Sequence, residues 1–344
     1  MSNIGEIKIP TMPKFMPLIK HDYPITEREN LMRALNRQKP MWMPNLYRSS
    51  QLPPWAAYND MPSSMDADGT DWFGIRYQYS EAQGSPTPVS HAFAEIGEWR
   101  EKIVWPDLDN WDWLQGADGF VRDERFASAG LFGNGLFERL HIFEGFEQAL
   151  VDLISEPEEC RAFFEQLADY KIDVFRRMND IYHYDYVVYN DDWGTARAPF
   201  FSLDLFEATV CEPTIRVVRA MQQGGAKVIF HNCGLIDSFI PHLVNDIRAD
   251  GLEIQGINDI KGILQNYGDK VTVEYHADQY LMYDPETTPD AARRHAREIV
   301  DLYGAHVNPG AGVLISAGAA KDEVFYAFED EIFHYSLEKY RDLR

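Results

Sequence analysis

Lys227-Val228-Ile229-Phe230-His231-Asn232-Cys233-Gly234 decides the reading of this chain. An apolar run passes straight into a histidine, a cysteine and a glycine, as a buried strand does where it leaves its sheet. Side chains alternate along a strand, so His231 and Cys233 point to the same side. An imidazole and a thiolate so placed can hold one borderline cation such as zinc. Two ligands do not complete a site, and the neighbouring segments must supply the rest.

Those segments repeat the same plan. Thr26-Glu-Arg-Glu29 opens a helix over about 26–37 with a capping-box pattern. Met41–Pro44 reads as a short buried strand, 49–70 as a long loop, Asp71–Tyr79 as a strand and 80–118 as an irregular excursion. Beyond residue 136 the order becomes regular. Helices are expected near 136–154 and 157–183, then strand Tyr186–Asn190, helix 203–223, strand Lys227–Cys233 and helix 236–248. Strand Gly251–Gly256, helix 259–267, strand Lys270–Ala277, helix 289–304, strand Gly312–Ala317 and helix 321–340 follow. Nearly continuous apolar strands spaced by helices indicate a parallel sheet with both faces covered. The expected architecture is α/β, a (β/α)8 TIM barrel with an elaborated N-terminal third. Residues 1–25 read as an extended arm and 26–344 as one domain.

A barrel of this kind keeps its chemistry at the C-terminal ends of its strands. Strand Tyr186–Asn190 ends in Tyr189, Asn190, Asp191, Asp192 and Trp193; the next ends in His231 and Cys233. Strand 251–256 carries Glu253, and strand 270–277 carries Glu274 and His276. His276 is the expected third metal ligand, with Glu253 and Glu274 competing for a fourth place or for orienting the ligands. Asp192 and Glu274 are candidate acid–base groups. The Asp191-Asp192 pair reads equally well as a helix cap with a solvated neighbour. Asp259, His242 and His306 read as structural. Gly130-Leu-Phe-Gly133-Asn-Gly135 superficially resembles a dinucleotide loop but lacks a clear preceding Rossmann unit.

With 32 basic and 55 acidic residues the formal charge is −23, which argues against a nucleic-acid footprint and against anionic membranes. Three scattered cysteines, Cys160, Cys211 and Cys233, make no disulfide framework and suit a reducing compartment. Met1 to Lys20 has no apolar core like that of a signal peptide, and no stretch reaches the roughly 20 apolar residues of a membrane span. A cytoplasmic protein is expected.

The chain resembles the uroporphyrinogen decarboxylase superfamily along nearly its whole length. The resemblance rests on Thr26-Glu-Arg-Glu-Asn-Leu-Met-Arg-Ala-Leu-Asn-Arg-Gln-Lys-Pro40, Val104-Trp-Pro-Asp-Leu-Asp109, Gly135-Leu-Phe-Glu138 and Glu144-Gly145. Asp191-Asp192-Trp193-Gly194, His231-Asn-Cys-Gly234 and Thr287-Thr288-Pro289 complete it. Members that decarboxylate a polycarboxylate resemble one another in an arginine-rich segment after the first strand. Here that segment reads Asn45-Leu-Tyr-Arg-Ser-Ser-Gln51, with Arg48 alone.

A second branch, the zinc-dependent corrinoid methyltransferases, uses a His-x-Cys like that of His231 and Cys233 and a later cysteine near the last strand. Val313-Leu-Ile-Ser-Ala-Gly-Ala319 lacks that cysteine, a departure from the thiol-methylating subtype that leaves His276, Glu253 and Glu274 as donors. The resemblance therefore implies an O-demethylase methyltransferase with Zn2+. It would move a methyl group from a methoxylated aromatic donor to cobalamin carried by a corrinoid partner protein. Asp192 or Glu274 would protonate the leaving oxygen; Tyr47, Tyr189 and Trp193 would stack on the ring, with Arg48, Asn190 and Glu253 beside it. A homodimer is compatible with this reading. Two rivals stand beside it: a metal-free lyase, and a non-catalytic barrel that binds a corrinoid protein.

Overall fold

A computed structural model describes residues 21–53, 68–80, 85–114, 117 and 120–341. Its strands are β1 (Ser50–Gln51), β2 (Gly69–Thr70), β3 (Arg76–Ser80), β4 (Ser85–Pro88), β5 (Ala127–Phe132) and β6 (Tyr186–Asn190). β7 (Lys227–Asn232), β8 (Gly251–Ile254), β9 (Thr272–His276) and β10 (Val313–Ser316) follow. The helices are α1 (Glu27–Leu35), α2 (Trp99–Lys102), α3 (Leu136–Glu144), α4 (Phe146–Ser155), α5 (Pro157–Tyr182) and α6 (Leu203–Ala208). They continue as α7 (Cys211–Gln223), α8 (Ile240–His242), α9 (Ile260–Tyr267), α10 (Gln279–Met282), α11 (Pro289–Tyr303) and α12 (Asp322–Arg341).

Seven strands form one curled parallel sheet in the order β1-β5-β6-β7-β8-β9-β10. The segment ahead of β1 reaches the far edge: Leu46 N–H donates to Ile315 O and Ile315 N–H donates to Pro44 O. Eight strands were expected, and among the described residues the sheet has seven. The stretch expected as a strand at Asp71–Tyr79 lies outside this sheet, because β3 pairs antiparallel with β2 and β4. Met41–Pro44 forms no strand; only the bridge from Asn45 to Ile315 stands there. The arm expected over 1–25 falls mostly outside the described residues, and its end, His21 to Tyr23, packs against Trp42 and Phe333.

Two apolar layers sort the strand residues. Ala127, Ala129, Tyr186, Val188, Ile229 and Leu314 face inward, where Leu31, Ala34 and Leu35 of α1 meet them. Helix α1 therefore plugs the end of the sheet at which the strands begin. Thr272 Oγ1 donates to Ala34 O, and Arg28 forks onto Asp185 just ahead of β6 at 2.9 and 2.7 Å. The opposite parity, including Val187, Tyr189, Val228 and Phe230, packs under the surrounding helices.

Several helices break where the sequence pattern is continuous. Gly145, at φ +96°, divides the segment 136–155 into α3 and α4. The stretch 236–248 is a 3-10 turn, α8 and a π turn in succession, with Pro241 at the start of α8. Among the described residues no helix is long and apolar enough to cross a membrane.

Candidate metal centre and acid–base site

The register of the parallel ladder builds the site. Asn190 pairs with His231, His231 with Glu253, Glu253 with Glu274, and Glu274 with Leu314. These positions share the inward parity of Ile229 and Val188, one step nearer the strand ends. Three adjacent strands thus present an imidazole and two carboxyl groups in one layer above the apolar plug. His276 stands one step higher on β9, opposite Ser316.

The loop after β7 is fixed from three directions. Gly234 has φ +88°, and a Cβ there would come within 2.2 Å of Gly194 O, so glycine is required. Its N–H donates to Gln255 Oε1, and Asn258 Nδ2 donates to its carbonyl. Cys233 N–H donates to Asp192 Oδ1 at 2.7 Å. Buried Asn232 donates to Asp191 O and accepts from Trp193 N–H, locking the ends of β6 and β7 together.

That locking assembles three donors. Cys233 Sγ lies 3.4 Å from His231 Nε2, and Asp192 Oδ1 lies 3.8 Å from the same nitrogen. One donor atom from each of Asp192, His231 and Cys233 lies within 4.8 Å of the others. The other nitrogen of His231, Nδ1, stands 3.3 Å from Glu253 Oε2. Tyr47 O–H donates to the second Glu253 oxygen at 2.6 Å.

Glu253, Glu274 and His276 form a neighbouring group of donors, also within 4.8 Å of one another. His276 Nε2 is 3.7 Å from Glu253 and its Nδ1 is 3.4 Å from Glu274, while Ser316 Oγ lies 2.8 Å from Nδ1. Glu274 is wholly buried, with the His276 ring and the Ser316 hydroxyl as its polar neighbours.

Charge is divided unevenly across this layer. Burial would raise the Glu253 carboxyl, but the charge and hydrogen bonding of His231 overcome it and hold Glu253 below the usual carboxylate range. Burial opposes the His231 imidazolium, yet Glu253 and the hydrogen bond to Cys233 carry its pKa well above the ordinary value. Glu274 goes the other way: burial and then the Glu253 charge push it well above the usual carboxylate range, which favours its protonated form. Burial lowers His276, leaving a neutral imidazole.

Several expected residues lie elsewhere. Tyr189 is fully buried beneath the helices against Phe230, since the parity that turns Asn190 inward turns Tyr189 outward. Trp193 is buried among Phe206, Phe230 and Phe239. Neither can stack on a ligand at the mouth. Arg48 lies over the Phe325 ring and lines a separate cavity with Glu27, Asn45 and Glu329. Asp191 is the helix cap of the acidic pair: its carboxylate accepts from the N–H groups of Leu136, Phe137 and Glu138 at the start of α3. His276 is not grouped with His231 and Cys233; Asp192 takes the third position there.

Glu138 also stands at the rim, although it lies in the first turn of α3 and not at a strand end. It accepts from Asn190 Nδ2 at 2.7 Å, and burial, then Asp192 and Asp191, push its carboxyl up to about 8. The signal for it was local: Glu138 sits three residues beyond Gly135 and accepts that glycine's N–H, the reach of a capping box.

Comparison with known proteins agrees with this architecture in one respect. The family model described as uroporphyrinogen decarboxylase (URO-D) matches residues 141–328, more than half of the chain. No curated protein matches it. Among solved structures, an Old Yellow Enzyme from Pichia sp. AKU4542 aligns at 11% identity over 53% of this chain and 52% of that one, with a TM-score of 0.32. The alignment therefore spans about half the length of that enzyme. An endo-1,4-beta-xylanase from Caldicellulosiruptor owensensis aligns at 9% identity over 65% and 76%, with a TM-score of 0.33. The family match covers β6 through β10 and so includes Asp192, His231, Cys233, Glu253, Glu274 and His276: this chain belongs to the uroporphyrinogen decarboxylase (URO-D) family.

Proposed function

We propose that this protein transfers a methyl group from a small methoxylated aromatic donor to the cob(I)alamin of a separate corrinoid protein. The observation that carries the reading is the position of His231, with Nδ1 on Glu253 and Nε2 toward Cys233 and Asp192. Metal-binding histidines commonly give their second ring nitrogen to a carboxylate in this way, which fixes the ring and raises its basicity. One sulfur, one nitrogen and one oxygen donor fit a borderline divalent cation such as zinc, and His231, Cys233 and Asp192 would hold it. Bound there, zinc would supply Lewis acidity toward the ether oxygen of the donor.

The chain's own groups do the remaining work. Tyr47 holds the far oxygen of Glu253, so that Glu253 keeps one face for His231. Glu274 retains a proton, and His276 stands against it as a neutral imidazole. Together they can return a proton to the oxygen that loses the methyl group. Asn190, fixed by Glu138, offers an amide oxygen at the same rim.

Charge supports a neutral donor. From Arg48 to Arg76 the sequence contains no lysine or arginine between them, and Arg48 itself faces Glu27 and Glu329. A polycarboxylate brought into this acidic mouth would leave its charges uncompensated. Metal analysis joined to product analysis tests the reading against a lyase. Activity that tracks zinc content and yields a demethylated donor supports it; full activity in metal-free protein, with release of carbon dioxide, overturns it.

A further inference from the structure

We propose that His21, Asp330 and His334 form a second divalent-cation site that fastens the chain entering α1 to the C-terminal helix α12. One donor atom from each of the three lies within 4.8 Å of the others. Asp330 and His334 stand one turn apart on α12, and side chains four residues apart on a helix share a face. His334 Nε2 is 3.4 Å from Asp330 Oδ1, and His21 Nδ1 is 3.9 Å from the same oxygen.

An aspartate and a histidine at this spacing are, alone, an ordinary surface pair of little energetic weight. His21 changes that, because it arrives from the opposite end of the chain with its ring already oriented. It stacks on Phe333 at 4.2 Å and 15° and meets Tyr23 and His334 edge-on. The His21 side chain is 7% exposed, so little freedom remains to be lost when a cation binds. Asp330 and His334 are 50% and 62% exposed, which leaves an entry path and room for waters to complete the coordination.

Two imidazoles and one carboxylate select zinc, nickel or copper over magnesium or calcium, which prefer all-oxygen sites. A protein charge of −23 also favours cations near its surface. The consequence is structural. The segment pinned at His21 leads directly into α1, which plugs the sheet, so a bound cation would couple that plug to α12.

The experiment uses the full chain and Zn2+ as the probe. Chelator competition measures zinc affinity and stoichiometry, and thermal unfolding measures the zinc-dependent rise in Tm. Cys233→Ser first disables the site at the mouth; it is then combined with His334→Ala, an exposed position whose loss does not endanger the fold. In the Cys233→Ser protein a zinc ion and a zinc-dependent rise in Tm are expected to persist. Adding His334→Ala should weaken that zinc by at least about tenfold and remove the rise. In the protein with Cys233 intact, cobalt(II) should fill one site with a thiolate charge-transfer band and one without, and His334→Ala should remove the second while leaving the band unchanged. The proposal is overturned if Cys233→Ser protein binds no zinc, or if His334→Ala changes neither its affinity nor the shift.

Discussion

Glu253 Oε2 stands 3.3 Å from His231 Nδ1, and this turns Nε2 toward the Cys233 sulfur 3.4 Å away. The ladder sets the relationship, since Glu253 is the register partner of His231 on the adjacent strand. One carboxylate thereby chooses which nitrogen of the ring meets the mouth.

Replacing that carboxylate should show its role without disturbing packing. Glu253→Gln preserves size but cannot accept a charge-assisted bond from Nδ1. Zinc affinity measured by chelator competition is expected to fall roughly 10- to 100-fold, with the circular dichroism spectrum unchanged. Unaltered affinity would mean that Glu253 does not orient His231 for metal.

Asp192 and His276 should separate binding from turnover. Asp192 belongs with His231 and Cys233, whereas His276 belongs with Glu253 and Glu274. Asp192→Ala is expected to lose zinc and activity together. His276→Ala should retain zinc but turn over at least about 100-fold more slowly, the usual scale of acid–base assistance. Loss of zinc in His276→Ala would restore it to the ligand set.

The close approach at Gly234 is a stability prediction. An alanine there carries φ +88° and a Cβ 2.2 Å from Gly194 O. Denaturant unfolding of Gly234→Ala should show a loss of about 3 kcal/mol or more, the sum of backbone strain and overpacking. A loss below about 1 kcal/mol would show that the two loops are not held together as described.

Glu144 predicts a pH dependence. Burial, then the charge of Asp152, raises its carboxyl from 4.5 to about 9. A folded-state value above the unfolded one favours the native state at low pH, and that advantage is lost as the pH climbs from about 4.5 to about 9. Glu144→Gln has no such proton, and its amide can donate to Asp152. The stability of the variant relative to the parent should therefore rise across this window, by on the order of 2–3 kcal/mol at pH 7. A difference that stays flat from pH 5 to pH 9 would contradict the assignment.

The parallel α/β order and the donor strands β6 to β9 could be read from apolar runs ending in polar residues. What escaped had physical reasons. Strand β5, Ala127-Ser-Ala-Gly-Leu-Phe132, is built of small residues where α1 and Tyr184 press close, and it carries little strand signal. The outward direction of Tyr189 is legible in the sequence, because the alternation that places Asn190 inward turns Tyr189 away from the mouth. Trp193 lies past the strand, where parity no longer guides, and the aromatic pocket of Phe206, Phe230 and Phe239 decides its direction. Asp192 could be named as a polar rim residue but not as the companion of Cys233, since that contact depends on the Cys233 N–H crossing to the β6 loop.

The central claim, methyl transfer from an ether at the His231–Cys233–Asp192 centre, is met most directly by following cobalamin absorbance. Zinc-loaded protein is mixed with reduced corrinoid protein and a panel of methoxylated aromatics. The expected result is conversion of cob(I)alamin to methylcobalamin with at least one donor, in step with release of the corresponding phenol, and its loss in Cys233→Ser. No methylcobalamin from any donor with zinc bound, or undiminished formation in Cys233→Ser, would contradict the account.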